Sequence, residues 1–117
     1  MKRPTFYAVY VGINAYQNCR QLHGCINDVL AMHRYFSRLC AEQDAAAPVD
    51  YRPQFLLLPH LEEKSELKKE GIVYRKPTRK NIIESFDFFA EADPQAGDYC
   101  LFYYSGHGSY VDAPPLF

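Results

Sequence analysis

The chain has 117 residues, 48% hydrophobic and 15% aromatic, enough for one domain with its own buried core. The 13 Lys and Arg against 14 Asp and Glu leave a formal net charge of −1, with the basic residues scattered. Neither nucleic acid nor an anionic membrane is therefore an expected partner, because each needs a concentrated basic surface.

Met1-Lys2-Arg3 ahead of residues 6–13 imitates a secretory leader, but the apolar run is short, carries Tyr7 and Tyr10, and lacks a small-residue cleavage site. No stretch approaches the length that spans a bilayer. Four irregularly spaced cysteines do not resemble a secreted disulfide framework, so a reducing, cytoplasmic setting is expected.

Residues 6–13 are β-branched and aromatic and read as a strand buried on both faces, ended by Gly12 and Asn14. A loop to Gly24 leads into a helix over 25–40, whose Ile26, Val29, Leu30, His33, Phe36 and Cys40 recur at helical spacing. Asn27 or Asp28 is its expected cap. Residues 41–49 read as a linker and 51–58 as a second strand, stopped by Pro59. The mixed-charge stretch 60–71 reads as a solvated loop or hairpin. Thr78 is the expected cap of a second helix with an apolar stripe of Ile82, Ile83, Phe86, Phe89 and Ala90. A third strand, 99–104, follows. Strands alternating with helices predict a parallel sheet covered by helices, with any site at the carboxyl ends of the strands.

That third strand ends in Ser105-Gly106-His107-Gly108. The flanking glycines suggest backbone angles closed to other residues and an open approach to the imidazole, which titrates near neutral pH and can shuttle protons. A loop histidine between turn glycines is the plainer reading of this segment alone. A nucleotide-binding domain is disfavoured, because no glycine spacing here makes a phosphate loop.

Three blocks stand in order: residues 7–16, from Tyr7 through Gly12-Ile13-Asn14 to Tyr16; Leu22-His23-Gly24-Cys25-Ile26-Asn27-Asp28; and residues 103–108, ending in His107-Gly108. With residues 77–82 at the second helix start, they closely resemble the caspase-like cysteine peptidases, in particular the metacaspase and orthocaspase branch. The resemblance implies an α/β caspase-hemoglobinase fold, three layers with a mostly parallel sheet, incomplete in this chain. It implies peptide hydrolysis by a cysteine–histidine dyad, with His107 as the histidine and the Gly108 N–H helping to hold the oxyanion. Cys25, Asp28 and Ser105 match positions that line the pocket for the residue before the cut. Leu22 stands where aspartate-cutting caspases carry an arginine, so a carboxylate pocket for arginine or lysine is expected.

By the same resemblance the nucleophilic cysteine lies roughly 50 residues downstream of the histidine. No cysteine follows His107. Residues 1–117 are thus expected to be the N-terminal portion of a peptidase domain, made as a zymogen, inactive alone, and partnered by the rest of that domain and by a substrate with a basic residue at the cut. A non-catalytic, partner-binding caspase-like module is the alternative. No cofactor is required by these residues; calcium is an option for the full domain, with Asp112 where an acidic loop would begin, but one carboxylate makes no calcium site. Cys100 is expected to be buried, and a zinc site from Cys19, His23, Cys25 and His33 fits no common spacing.

Overall fold

The structure is a computed structural model and describes residues 3–42 and 48–108. Strand β1 (Thr5–Ile13) is the centre of a three-stranded parallel sheet of order β2-β1-β3, where β2 is Asp50–Leu58 and β3 is Tyr99–Ser105. Its continuous apolar run is explained by burial on both faces, complete at Ala8 to Val11. Ala8 and Tyr10 pack with Phe55 and Leu57 against helix α1 (Cys25–Ala41) through Ile26, Val29 and Leu30. Val9, Val11 and Leu56 face the other way, toward Ile82, Phe88 and Phe89 of the long helix α3 (Arg79–Ala92). The period-2 alternation of β1 thus builds an α/β/α sandwich. Each fully buried Val or Leu in it contributes about 1.5–3 kcal/mol.

Helix α1 runs close to β1 because Gly12 has no side chain. A Cβ there would lie 2.8 Å from Val29 Cγ2 and 3.2 Å from the Cys25 carbonyl oxygen. Past β2, Arg75 exchanges backbone hydrogen bonds with the outer edge of that strand, accepting from Leu57 N–H at 2.9 Å and donating to the Phe55 carbonyl at 3.1 Å. At the opposite end of the sheet, Asp98 accepts from Thr5 N–H at 2.8 Å and ties the starts of β1 and β3 together.

Several expectations are corrected. Residues 60–71 are a 3-10 turn, Leu61–Glu63, followed by the short helix α2 (Lys64–Lys69). Leu67 of α2 is fully buried on the α1 side of the core with Ile72, so two apolar residues anchor an otherwise charged segment. Neither Asn27 nor Asp28 caps α1; the N-cap is Gly24, and the Cys25 N–H is satisfied by the side chain of Asn14, the residue after β1, at 2.9 Å. The buried side of α3 is rotated toward Ser85 and Phe88, leaving Ile83 and Phe86 half exposed, although Phe86 stacks on Phe102. Thr78 does cap α3, accepting from Asn81 N–H at 3.1 Å. Cys100 is exposed, because among the described residues β3 pairs only with β1. Of the expected linker over residues 41–49, residues 43–47 lie outside the described residues, as does Asp112.

Candidate active site

His107 sits just beyond the carboxyl end of β3, facing the loop that joins β1 to α1, and its main chain is held by two phenols. Its N–H donates to Tyr16 Oη at 2.7 Å, while Tyr104 Oη donates to its carbonyl at 2.7 Å. The phenols are also hydrogen-bonded to each other; burial first, then this bond, pushes the Tyr104 hydroxyl up to about 12, so it remains a donor at neutral pH. The Tyr16 ring meets the imidazole edge-on, with centroids 4.4 Å apart.

The imidazole itself is oriented by Nε2, 2.5 Å from the Arg20 carbonyl oxygen. A carbonyl only accepts, so Nε2 carries the hydrogen and Nδ1 is the basic nitrogen. This arrangement gives His107 one fixed tautomer with a lone pair available for a proton.

The glycines around it serve purposes other than the expected one, for neither Gly106 nor Gly108 has a positive φ. At Gly106 a Cβ would fall 2.6 Å from both Tyr16 Oη and Tyr104 Oη, so only glycine lets the phenols close on the chain. At Gly108 a Cβ would meet nothing within 4 Å; the residue is exposed, with open space beside its main chain.

The pocket residues expected from the sequence fall together on the α1 side. Asp28 is exposed on the first turn of α1, and its Oδ2 accepts from Ser105 Oγ, the last residue of β3, at 2.9 Å. Cys25 is buried at the start of the same helix. Burial, and after it the Asp28 carboxylate, raise the Tyr103 hydroxyl above its ordinary value. Asp28 therefore has a hydroxyl partner and no cation of its own among the described ion pairs, leaving a solvent-facing carboxylate.

Asn14, His60 and Glu63 were not legible as site residues, yet they hold the loop that carries Tyr16 and Arg20. Asn14 is fully buried. Its backbone N–H donates to Leu58, its carbonyl accepts from Leu22 N–H at 3.0 Å, its Oδ1 takes the Cys25 N–H, and its Nδ2 donates to Glu63 Oε2 at 2.8 Å. Glu63 also accepts from the His60 N–H at 2.7 Å, and His60 Nε2 donates to the Leu22 carbonyl at 2.8 Å while its ring stacks on His23. The available signals were one amide closing an apolar strand and the three-residue spacing from His60 to Glu63, a helix-start pattern.

Among the described residues, no group of three His, Cys, Asp or Glu side chains could hold a metal ion.

The sandwich of helices on a parallel sheet, with a clamped histidine and a hydroxyl-held carboxylate at its carboxyl edge, defines the class of fold. The family model of the caspase domain matches residues 5–115, and the chain belongs to that family. It is 35% identical over 106 residues to metacaspase-9 of Arabidopsis thaliana, covering 89% of this chain and 27% of that protein. Metacaspase-3 of Trypanosoma cruzi is 32% identical over 110 residues, covering 93% and 26%. Metacaspase-1 of Candida glabrata is 29% identical over 101 residues, covering 86% and 21%. The chain thus spans between a fifth and just over a quarter of the length of these relatives.

Proposed function

We propose that the protein carrying this chain is a cysteine endopeptidase that cuts after arginine or lysine, with His107 as the proton shuttle of a cysteine–histidine dyad. The observation that carries this reading is the fixed His107 tautomer, with Nε2–H on the Arg20 carbonyl and Nδ1 basic. Nδ1 takes the thiol proton as the thiolate adds to the scissile carbonyl, returns it to the leaving amine, and then activates water against the thioester. Gly108, beside open space, offers its N–H to the developing oxyanion. Asp28, with Ser105 beside it, receives the guanidinium or ammonium of the residue before the cut.

The nucleophile and the rest of the pocket are assigned to the remainder of the protein. Among the chain's own thiols, Cys25 and Cys40 are buried, and burial raises the Cys40 thiol, which disfavours the thiolate. A cytoplasmic zymogen suits the chemistry: the four cysteines are free, and no helix among the described residues is long and apolar enough to cross a membrane.

The test is cleavage of fluorogenic peptides ending in Arg, Lys or Asp by the full-length protein, with calcium supplied and any propeptide cut. Cleavage after Arg or Lys, lost in His107→Ala and weakened at least tenfold in KM or kcat/KM by Asp28→Asn, supports the reading. Cleavage only after Asp removes the basic specificity and keeps the dyad. No cleavage at all favours the partner-binding module.

A further inference from the structure

We propose that the cavity on the α3 side of Tyr16 is the subsite for the part of the substrate that leaves, taking an apolar residue directly after the cut and an acidic residue next. This rests on the peptidase reading and adds to it a site on the opposite face of the sheet. The cavity has a volume of about 420 Å³ and is lined by Ile13, Ala15, Tyr16, Leu58, Lys76 and Pro77, among others.

Asp28 and Ser105 lie on the α1 side of the sheet, where Ile26, Val29 and Leu30 pack. The cavity lies on the other side, where Ile13 joins the cluster facing α3 and Pro77-Thr78 opens that helix. Tyr16 stands between the two, its hydroxyl on the His107 N–H and its ring against the imidazole, while it also forms part of the cavity wall. A peptide whose basic side chain reaches Asp28 presents its cut bond at His107. The amine that His107 protonates departs past Tyr16, and the cavity is the space it enters.

Ile13, Ala15, Leu58 and Pro77 give an apolar floor of a size suited to one large side chain and its flanking backbone. The lining carries one cation, Lys76. Of the four basic residues near the α3 start, Arg75 and Lys80 both reach Glu84, while Lys76 lines the cavity and Arg79 is exposed one turn away. Lys76 thus faces the cavity as a charge that Glu84 does not neutralise, and a carboxylate following the apolar residue complements it.

The test uses the full-length protein and two substrate sets. One is an Arg coumarin amide, whose leaving group carries no peptide. The other is a set of quenched peptides with Arg fixed before the cut, then Ala, Leu, Phe or Asp, then Glu or Lys. The subsite requires Leu or Phe to exceed Asp by about tenfold or more in kcat/KM, the discrimination an apolar pocket supplies. It requires Glu to exceed Lys at the next position about threefold, as for a partly exposed charge pair, with the order inverted in Lys76→Glu. Ala15→Trp, which fills the cavity, should erase the advantage of Leu and Phe over Ala, read as a ratio within that variant so that lost folding is factored out. Cleavage of the coumarin amide with a flat profile at both peptide positions overturns the subsite alone. Cleavage of neither substrate set defeats the peptidase reading and the subsite with it.

Discussion

Replacing Asn14 by Asp changes one atom type in the residue that knots the β1–α1 loop, and its effect should depend on pH in a direction that a simple loss of packing would not give. The variant keeps an oxygen to accept the Cys25 N–H, but replaces the Nδ2 donor with a second acceptor 2.8 Å from Glu63 Oε2. Two carboxylates at that distance repel by about 6 kcal/mol at an effective dielectric constant of ~20. The pair escapes by binding one proton and sharing it. With reference carboxyl values near 4, holding that proton at pH 7 costs about 4 kcal/mol, which caps the destabilisation. The folded pair then has a pKa raised above its unfolded value, so the native state binds more protons and stability falls as pH rises. The gap from the natural protein should be small near pH 4, grow by about 1.4 kcal/mol per pH unit to about 4 kcal/mol at pH 7, and level off only at higher pH, at the repulsion energy. Urea unfolding of both proteins at pH 4, 5, 6 and 7 reads it directly. A gap that is the same at every pH would refute the reasoning, since it would mean that Asn14 and Glu63 do not meet in solution.

The His33 Nδ1 lies 2.8 Å from Tyr51 Oη inside an aromatic cage, and burial, the main cause, pulls its pKa below the ordinary histidine value. The folded protein therefore keeps His33 neutral: its stability contribution is full above pH ~6.5 and is lost as pH falls from there toward the folded value. His33→Gln should flatten that limb of the denaturant midpoint against pH; an unchanged slope would assign it to other groups. Leu67→Ala empties a fully buried position of α2 and should cost about 2–5 kcal/mol in chemical unfolding, whereas a loss under about 0.5 kcal/mol would return residues 60–71 to the solvated loop that their charge suggests. Gly106→Ala drives a methyl to 2.6 Å from both clamp hydroxyls and, if the proposed peptidase function holds, should lower kcat/KM of the full-length protein at least tenfold while the thermal midpoint moves by a few degrees. Full activity in that variant would show that the clamp does not set the His107 position.

The sequence by itself determined the three strands, the two long helices and their order, because these depend on local pattern. The apolar run of β1, the helical spacing of α1 and Thr78 at the head of α3 each placed an element to within a residue or two of where it lies. It also pointed to His107, Asp28 and Ser105 through the block resemblance, and the fold brings Asp28 and Ser105 into hydrogen-bond contact across 77 residues of chain. What it could not supply were the contacts that depend on which distant residues meet. Leu67 looks solvated among its charged neighbours until α2 packs it on the core. Cys100 looks buried until the pairing of β3 shows which side is covered. Gly106 looks like a turn residue, and only the approach of the distant Tyr16 shows that it clears space for two phenols. Asn14 looks like punctuation at the end of a strand. It becomes the centre of the loop that orients His107 because burial obliges each of its polar atoms to find a partner, and those partners are fixed by tertiary structure alone.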